Sequence, residues 1–237
     1  MRFMRQFNNK PESRLILTEL MRMANCLNTE TVAEGVETEE QKEFLSEIGC
    51  TKLQGYYFCK PIPMSEILNR YQKGIQIGFE NPAEIEYNKT VSAINLYDLG
   101  AVSSSDELAA GQYLNTQPMF VAEHDGKIVS IVRSNQSYRK FVELHPGLVK
   151  QGQTVAVSEL QNELSNAFLK AVNLCVEEGQ RIFLDETLKN GDSFHALIRK
   201  IKTNPVTGVT AYAIAVLGVA RKDEGSSFTD LTWNSFR

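Results

Sequence analysis

Glu34, Glu37 and Gln54 are the residues of this chain whose types and spacing best suit chemistry. The two acids fall in the run Thr31-Val32-Ala33-Glu34-Gly35-Val36-Glu37-Thr38. The amide opens Gln54-Gly55-Tyr56-Tyr57-Phe58-Cys59-Lys60-Pro61, one helix length further on. Thr31, Val32 and Ala33 read as a short buried strand, and Gly35 lets the backbone turn sharply where it stops, so Glu34 lies at a carboxyl end. In barrels of alternating strands and helices, the carboxyl ends of the strands carry the chemistry and the opposite ends mainly carry stability. Hard carboxylate oxygens in such a place suit Mg²⁺ or Mn²⁺. Each residue also has a plainer reading. Glu34 fits a surface carboxylate, Gln54 a hydrogen-bonding group inside a barrel, and Glu37 an acid drawn to a helix start by the helix dipole alone. Tyr56, Tyr57 and Phe58 read as core and rim aromatics rather than platforms for nucleobases.

The elements that must position these groups read as helix, strand, helix, strand. Ile16, Leu20, Met23, Ala24 and Leu27 follow the spacing of one helical face, with Glu12 and Ser13 near its start behind Pro11. Thr38 with Gln41 three residues on makes a capping box; Phe44, Leu45 and Ile48 form the buried stripe and Gly49 ends that helix. Residues 52–58 give the next strand, which Pro61 and Pro63 cannot continue, and a short helix follows over 65–71.

With its Glu-Gly-Val-Glu-Thr run (Glu34 to Thr38) and its Gln-Gly-Tyr run (Gln54 to Tyr56) followed by Pro61, this segment resembles the closing part of an EAL domain. That family consists of TIM-barrel phosphodiesterases that hydrolyse cyclic di-GMP to the linear dinucleotide pGpG. The resemblance covers about the first 75 residues and implies a partial α/β TIM barrel, its last two strands and helices. A complete (β/α)8 barrel needs about 250 residues. The resemblance therefore puts the family's Glu-Ala-Leu run, its metal-binding Asn and Glu, its paired Asp residues and its Lys upstream of Met1; Met1 to Arg5 resemble the stretch after the sixth strand. A truncated product, a misplaced start codon and a cloned carboxyl-terminal piece all fit. Phosphodiester hydrolysis needs an activated water and neutralised phosphoryl charge, which paired divalent cations supply. By resemblance, Glu34 lies against the metal-bound water as ligand or general base, Glu37 fixes the neighbouring loop and Gln54 contacts substrate or water. Mg²⁺ or Mn²⁺ belongs to the complete site, and the chain by itself is expected to be inactive.

Composition bounds the rest. The 237 residues, 42% hydrophobic and 23% charged, are ordinary for one or two globular domains. A formal charge of −4 offers no basic field for DNA or RNA, while a small dianionic nucleotide held by metals stays compatible. There is no signal-peptide-length apolar run near Met1 and no stretch of eighteen apolar residues, so a cytoplasmic location without a membrane segment is expected. Cys26, Cys50, Cys59 and Cys175 lack zinc spacing and read as reduced thiols; His124, His145 and His195 lie far apart, which argues against a catalytic or metal-bound histidine.

Residues 76–117 read as a partly helical connector, with Gly78, Pro82, Gly100, Ser103 to Ser105 and Gly111 between two helical patches, the first around Val91, Ile94, Leu96 and Leu99. A second domain follows over 118–221. Its strand at 119–122 turns at Asp125-Gly126 into a partner at 127–132, and a helical region covers 134–144. A long amphipathic helix marked by Leu160, Leu164, Phe168, Val172 and Val176 stops at Gly179, and strands at 181–188, 194–201 and 209–219 close the pattern. Two strands, helices and then a three-strand meander make an α+β pattern that resembles a PAS domain, with Asp125-Gly126, Asn135 and Asn190-Gly191-Asp192 where that family often places similar residues. The plainer reading is any small α+β domain with hairpins. His195 and Cys175 read as structural residues, so no haem or flavin is assigned. Phe228, Leu231, Trp233 and Phe236 in the tail, residues 222–237, hint at a docking helix or a dimer contact.

The expectation is thus a piece of a cyclic di-GMP phosphodiesterase followed by a PAS-like unit that senses a small-molecule signal or forms a homodimer. A non-catalytic cyclic di-GMP receptor, or a PAS-type sensory or interaction module, is the alternative. Strands taken from a closed parallel sheet would expose edges and apolar faces, so aggregation or partner pairing is expected of residues 1–75.

Overall fold

A computed structural model describes residues 11–75, 81–98, 117–145, 148–159, 163–178, 181–187 and 193–220. Met1 to Arg5, most of the connector, Gly179, the Asn190-Gly191-Asp192 turn and the tail lie outside them. The chain divides into two units, Met1–Ala93 and Ile94–Arg237. No described helix is long and apolar enough to cross a membrane.

The first unit runs α1 (Pro11–Cys26), β1 (Val32–Glu34), α2 (Glu39–Glu47), β2 (Lys52–Gln54), α3 (Met64–Gln72) and α4 (Ile85–Ser92). Strands β1 and β2 pair in parallel with Val32 opposite Lys52, Ala33 opposite Leu53 and Glu34 opposite Gln54. Helix α2 is the crossover that parallel pairing demands, and both of its ends are written locally. Thr38 Oγ1 accepts from the Gln41 amide at 3.2 Å while Gln41 Oε1 accepts from the Thr38 amide at 3.2 Å. At the other end, Gly49, with φ of 84°, donates to Ser46 O at 3.2 Å and Cys50 donates to Leu45 O at 2.9 Å, a Schellman closure. A side chain at Gly49 would stand 2.5 Å from Ala93 O. Phe44, Leu45, Ile48 and Val36 are buried. Below the strands, Thr31 and Thr51 bond reciprocally, each hydroxyl accepting from the other's amide at 3.0 and 3.2 Å. Lys52 donates to Glu30 at 2.8 Å, and that lysine holds the Glu30 carboxyl below its usual range.

Three expectations for this unit change. The strand expected to be buried is not: Val32 is 55% exposed, and Glu34, Lys52 and Gln54 share its open face, while Ala33 and Leu53 are half-buried on the other. The second strand ends at Gln54 rather than 58, because Phe58 and Cys59 donate back to Gly55 O at 3.1 and 3.3 Å and close a turn. The apolar stripe of α1 is also largely open. Ile16, Leu20, Met23 and Leu27 are exposed, Leu27 at 70%, and Leu17 with Ser13 takes the buried side. The physical reason is shared. A period of 2 or 3.6 marks which face is apolar, but two strands are too few to cover it.

The second unit contains β3 (Met119–His124), β4 (Ile128–Ser134), α5 (Gln136–Leu144), β5 (Thr154–Ala156), a short turn of 3₁₀ helix (Val157–Glu159), α6 (Glu163–Glu178), β6 (Arg181–Thr187), β7 (Ser193–Thr203) and β8 (Thr210–Ala220). Its sheet has the order β5-β4-β3-β8-β7-β6, every neighbouring pair antiparallel, so the first and last long strands meet at the centre. The β3–β4 hairpin turns at Asp125-Gly126 as expected. Asp125 Oδ1 accepts from the amides of Lys127 and Ile128 at 2.8 and 2.7 Å, which holds this carboxyl below its usual range, and Gly126 takes φ of 92°. At the β7–β8 turn, Asn204 Oδ1 accepts from Val206 and Thr207 at 2.9 and 3.2 Å.

Alternation along the strands divides the core. Phe120, Ala122, Ile131, Phe194, Ile198, Tyr212 and Ile214 pack with Tyr138, Phe141 and Val142 of α5 and Ala171, Val172 and Cys175 of α6. The residues between them, Val121, Leu197, Ala213 and Ala215, are buried as well, so β3 and β8 are covered on both faces.

Candidate functional site

Glu34 and Gln54 stand directly opposite each other at the carboxyl ends of β1 and β2. The chain holds them there with two bonds beyond the strands: Val36 donates to Gln54 O at 3.1 Å and Tyr57 donates to Val36 O at 3.0 Å. Gly55 makes this crossing possible. A Cβ at that position would lie 2.0 Å from Val36 O and 2.3 Å from Val36 N, a separation no side chain tolerates. Gly35, with φ of 78°, provides the turn after Glu34. The glycines at 35 and 55 are therefore what bring one carboxylate and one amide to a common rim.

Glu37 is placed differently. Its amide donates to Gln41 Oε1 at 2.8 Å, and it precedes the cap of α2, so its backbone is fixed by the capping loop. All three side chains are exposed. Tyr56, Tyr57 and Phe58, expected in core and rim, are exposed instead, because the turn closed on Gly55 carries them past the end of the sheet. Tyr57 and Phe58 meet edge to face with centroids 5.2 Å apart, and Lys42 Nζ lies 5.9 Å from the Tyr57 ring.

The fit of a divalent cation is tested by the donor set. Glu34 offers one carboxylate, and its register neighbour offers an amide. Among the described residues no group of three or more His, Cys, Asp and Glu side chains converges to hold a metal ion. These residues alone do not make a metal centre. What the arrangement supplies is one rim: an acceptor that orients or deprotonates water, beside a group that both donates and accepts.

The second unit gives His195 and Cys175 partners that the sequence did not announce. His195 Nδ1 lies 2.5 Å from Asp185 Oδ1, its register partner on β6. Cys175 is buried and its Sγ donates to Ile198 O at 3.6 Å; burial pushes its thiol pKa up, as befits an inert core thiol. Beneath β3 and β4 lies an apolar cavity of about 50 Å³ whose wall includes Phe120, Ala122 and His124, alternate residues on one face of β3. The alternation that puts these three on one face was visible in the sequence.

Comparison with known proteins bears on the first unit. Residues 1–61 match the family model described as the EAL domain. The chain is 36% identical over 66 residues to the bifunctional diguanylate cyclase/cyclic di-GMP phosphodiesterase MucR of Pseudomonas aeruginosa, covering 28% of this chain and 10% of that one. It is 34% identical over 67 residues to the cyclic di-GMP phosphodiesterase RocR of the same organism, covering 28% and 17%. It is 46% identical over 52 residues to the oxygen sensor protein DosP of Escherichia coli, covering 22% and 6%. Among solved structures, the PaMucR phosphodiesterase in its c-di-GMP complex is similar at 35% identity and a TM-score of 0.27, covering 27% of this chain and 26% of that one. The chain thus spans between 6% and 17% of the length of these three relatives. Its residues 1–61, which contain Glu34, Glu37 and Gln54, match the EAL domain, and the relatives aligned with it include cyclic di-GMP phosphodiesterases.

Proposed function

We propose that residues 1–75 are the closing part of an EAL barrel whose complete form hydrolyses cyclic di-GMP to linear pGpG with Mg²⁺ or Mn²⁺. In this reading Glu34 acts as metal ligand or general base, Glu37 fixes the loop beside it and Gln54 contacts substrate or water. The observation that carries the reading is the register of Glu34 against Gln54 at the carboxyl ends of a parallel pair, locked by the approach of Gly55 to Val36. One rim cannot neutralise a phosphodiester's charge, so residues 1–237 bind and turn over the dinucleotide only when the remaining strands are supplied.

Residues 118–221 are, in the same proposal, a PAS-like sensory or dimerisation unit in a cytoplasmic signalling protein, with 76–117 as connector. The antiparallel sheet with β3 beside β8, helices α5 and α6 packed on one face, and the cavity between them support it. Calorimetric titration of cyclic di-GMP into purified 1–237 in the presence of Mg²⁺ tests the first part of the reading. No heat of binding is expected up to high micromolar ligand. Saturable one-to-one binding would favour a non-catalytic cyclic di-GMP receptor instead.

A further inference from the structure

We propose that the outer edge of β6 pairs antiparallel with the same edge of a second copy of this chain, Phe183 standing opposite Phe183 at the two-fold axis. The sheet then runs on from one copy into the other. This deepens, and rests on, the dimerisation half of the reading given to the second unit.

The two edges of the sheet are built differently. β5, at one end of the strand order, is three residues long, and the turn of 3₁₀ helix follows it at once. β6, at the other end, runs seven residues and stays in register with β7 from Arg181 opposite Arg199 to Thr187 opposite Ser193. The β3–β4 and β7–β8 pairs each carry a register shift, and the β6–β7 pair carries none. An edge strand turns alternate backbone N–H and C=O groups outward, and proteins ordinarily blunt such an edge with a short strand, a bulge, proline or lysine. β5 is blunted by its length. β6 has none of those four devices, and it carries Phe183, 56% exposed, on the face away from the core.

Charge and residue type choose the register. Residues opposed across an antiparallel pair leave the sheet on the same face, so a two-fold axis through the pair must set one residue opposite its own copy. With Phe183 in that place, Ile182 falls opposite Leu184 of the second copy, and Arg181 falls opposite its Asp185, the latter twice by symmetry. Opposite charges and two aromatic rings come into line, while Ile182 and Leu184, which belong to the core side, extend the apolar layer. An axis at Ile182 sets Phe183 against Arg181, one at Leu184 sets Phe183 against Asp185, and one at Asp185 sets two carboxylates face to face. The Phe183 register is the one among these that satisfies both the charges and the ring. The Asp185 carboxylate is exposed and already oriented, its Oδ1 lying 2.5 Å from His195 Nδ1 on β7.

Sedimentation equilibrium of the full 237-residue chain is expected to show a monomer–dimer equilibrium at high micromolar concentration, weak because the paired stretch is short. Phe183→Lys, which sets two ammonium groups opposite each other at the axis, is expected to weaken the dimer about tenfold or more. Arg181→Asp and Asp185→Arg each set like charges opposite at two places, and each alone is expected to weaken it about tenfold. An equimolar mixture of those two variants makes every such pair opposite in charge again and is expected to dimerise as the native chain does. Asp185→Arg also gives up the bond to His195, so Phe183→Lys keeps the test decisive if that variant does not fold. A dimer that Phe183→Lys leaves unchanged, or two folded charge variants that do not rescue each other, overturns the β6 pairing while the dimerisation role stands on another surface. A native chain that stays monomeric overturns both.

Discussion

At the scale of single residues, the glycines beside the acids do as much as the acids themselves. Glu34 and Gln54 share a rim only because the chain after β2 crosses within contact of Val36, and that crossing has no room for a Cβ at Gly55. Gly55→Ala is therefore expected to cost the first unit about 2–3 kcal/mol through forced separation of the two segments, measured by urea unfolding. An unchanged midpoint would mean that the crossing relaxes freely. The Glu-Gly-Val-Glu-Thr and Gln-Gly-Tyr runs were legible as sequence, and so was the place of Glu34 at a strand end. The exposure of Glu34 and Gln54 was not, because a residue's alternation states only that it shares a face with Val32 and Lys52, not what covers that face.

At the scale of elements, the features written in local chemistry were the ones legible in advance. The Thr38–Gln41 capping box, the Gly49 closure and the Asp125-Gly126 hairpin each depend on side chains within a few residues of one another. The packing of α1 depends on distant partners and departs from its apolar stripe, and β2 stops short of its apolar run where the turn on Gly55 O closes. Asn135 shows both sides of this contrast. Its place at the start of a helix was readable, and Oδ1 does cap α5 by accepting from Tyr138 at 2.9 Å. The same fully buried carboxamide also accepts from Met119 at 3.1 Å and donates to Leu96 O and Gln117 O at 2.9 and 2.8 Å, ties that no local pattern announces. Asn135→Ala thus removes a cap and strands buried backbone groups on three segments. A loss of about 2–4 kcal/mol is expected in the second unit, read from its thermal or urea transition. A loss no larger than that of an isolated cap, about 1 kcal/mol, would show that water replaces those bonds.

At the scale of the whole chain, the two units stand on unequal physical footing. The second has a six-stranded sheet with a contiguous core of aromatic and aliphatic side chains between sheet and helices. The first has a two-stranded parallel sheet, and among its described residues Leu20, Met23, Leu27, Val32, Tyr56 and Phe58 are exposed. Parallel pairs ordinarily lie buried within larger sheets, so an open face on such a pair is an unusual setting for it. The same face carries Glu34 and Gln54, which joins the question of stability to that of activity. The central claim, that these residues form one rim of a cyclic di-GMP phosphodiesterase site needing further strands, is tested most directly by incubating purified 1–237 with cyclic di-GMP and Mg²⁺ or Mn²⁺ and following linear pGpG. No product above the protein-free control is expected, with Glu34→Gln indistinguishable from the native chain. Metal-dependent release of pGpG that Glu34→Gln abolishes would contradict it.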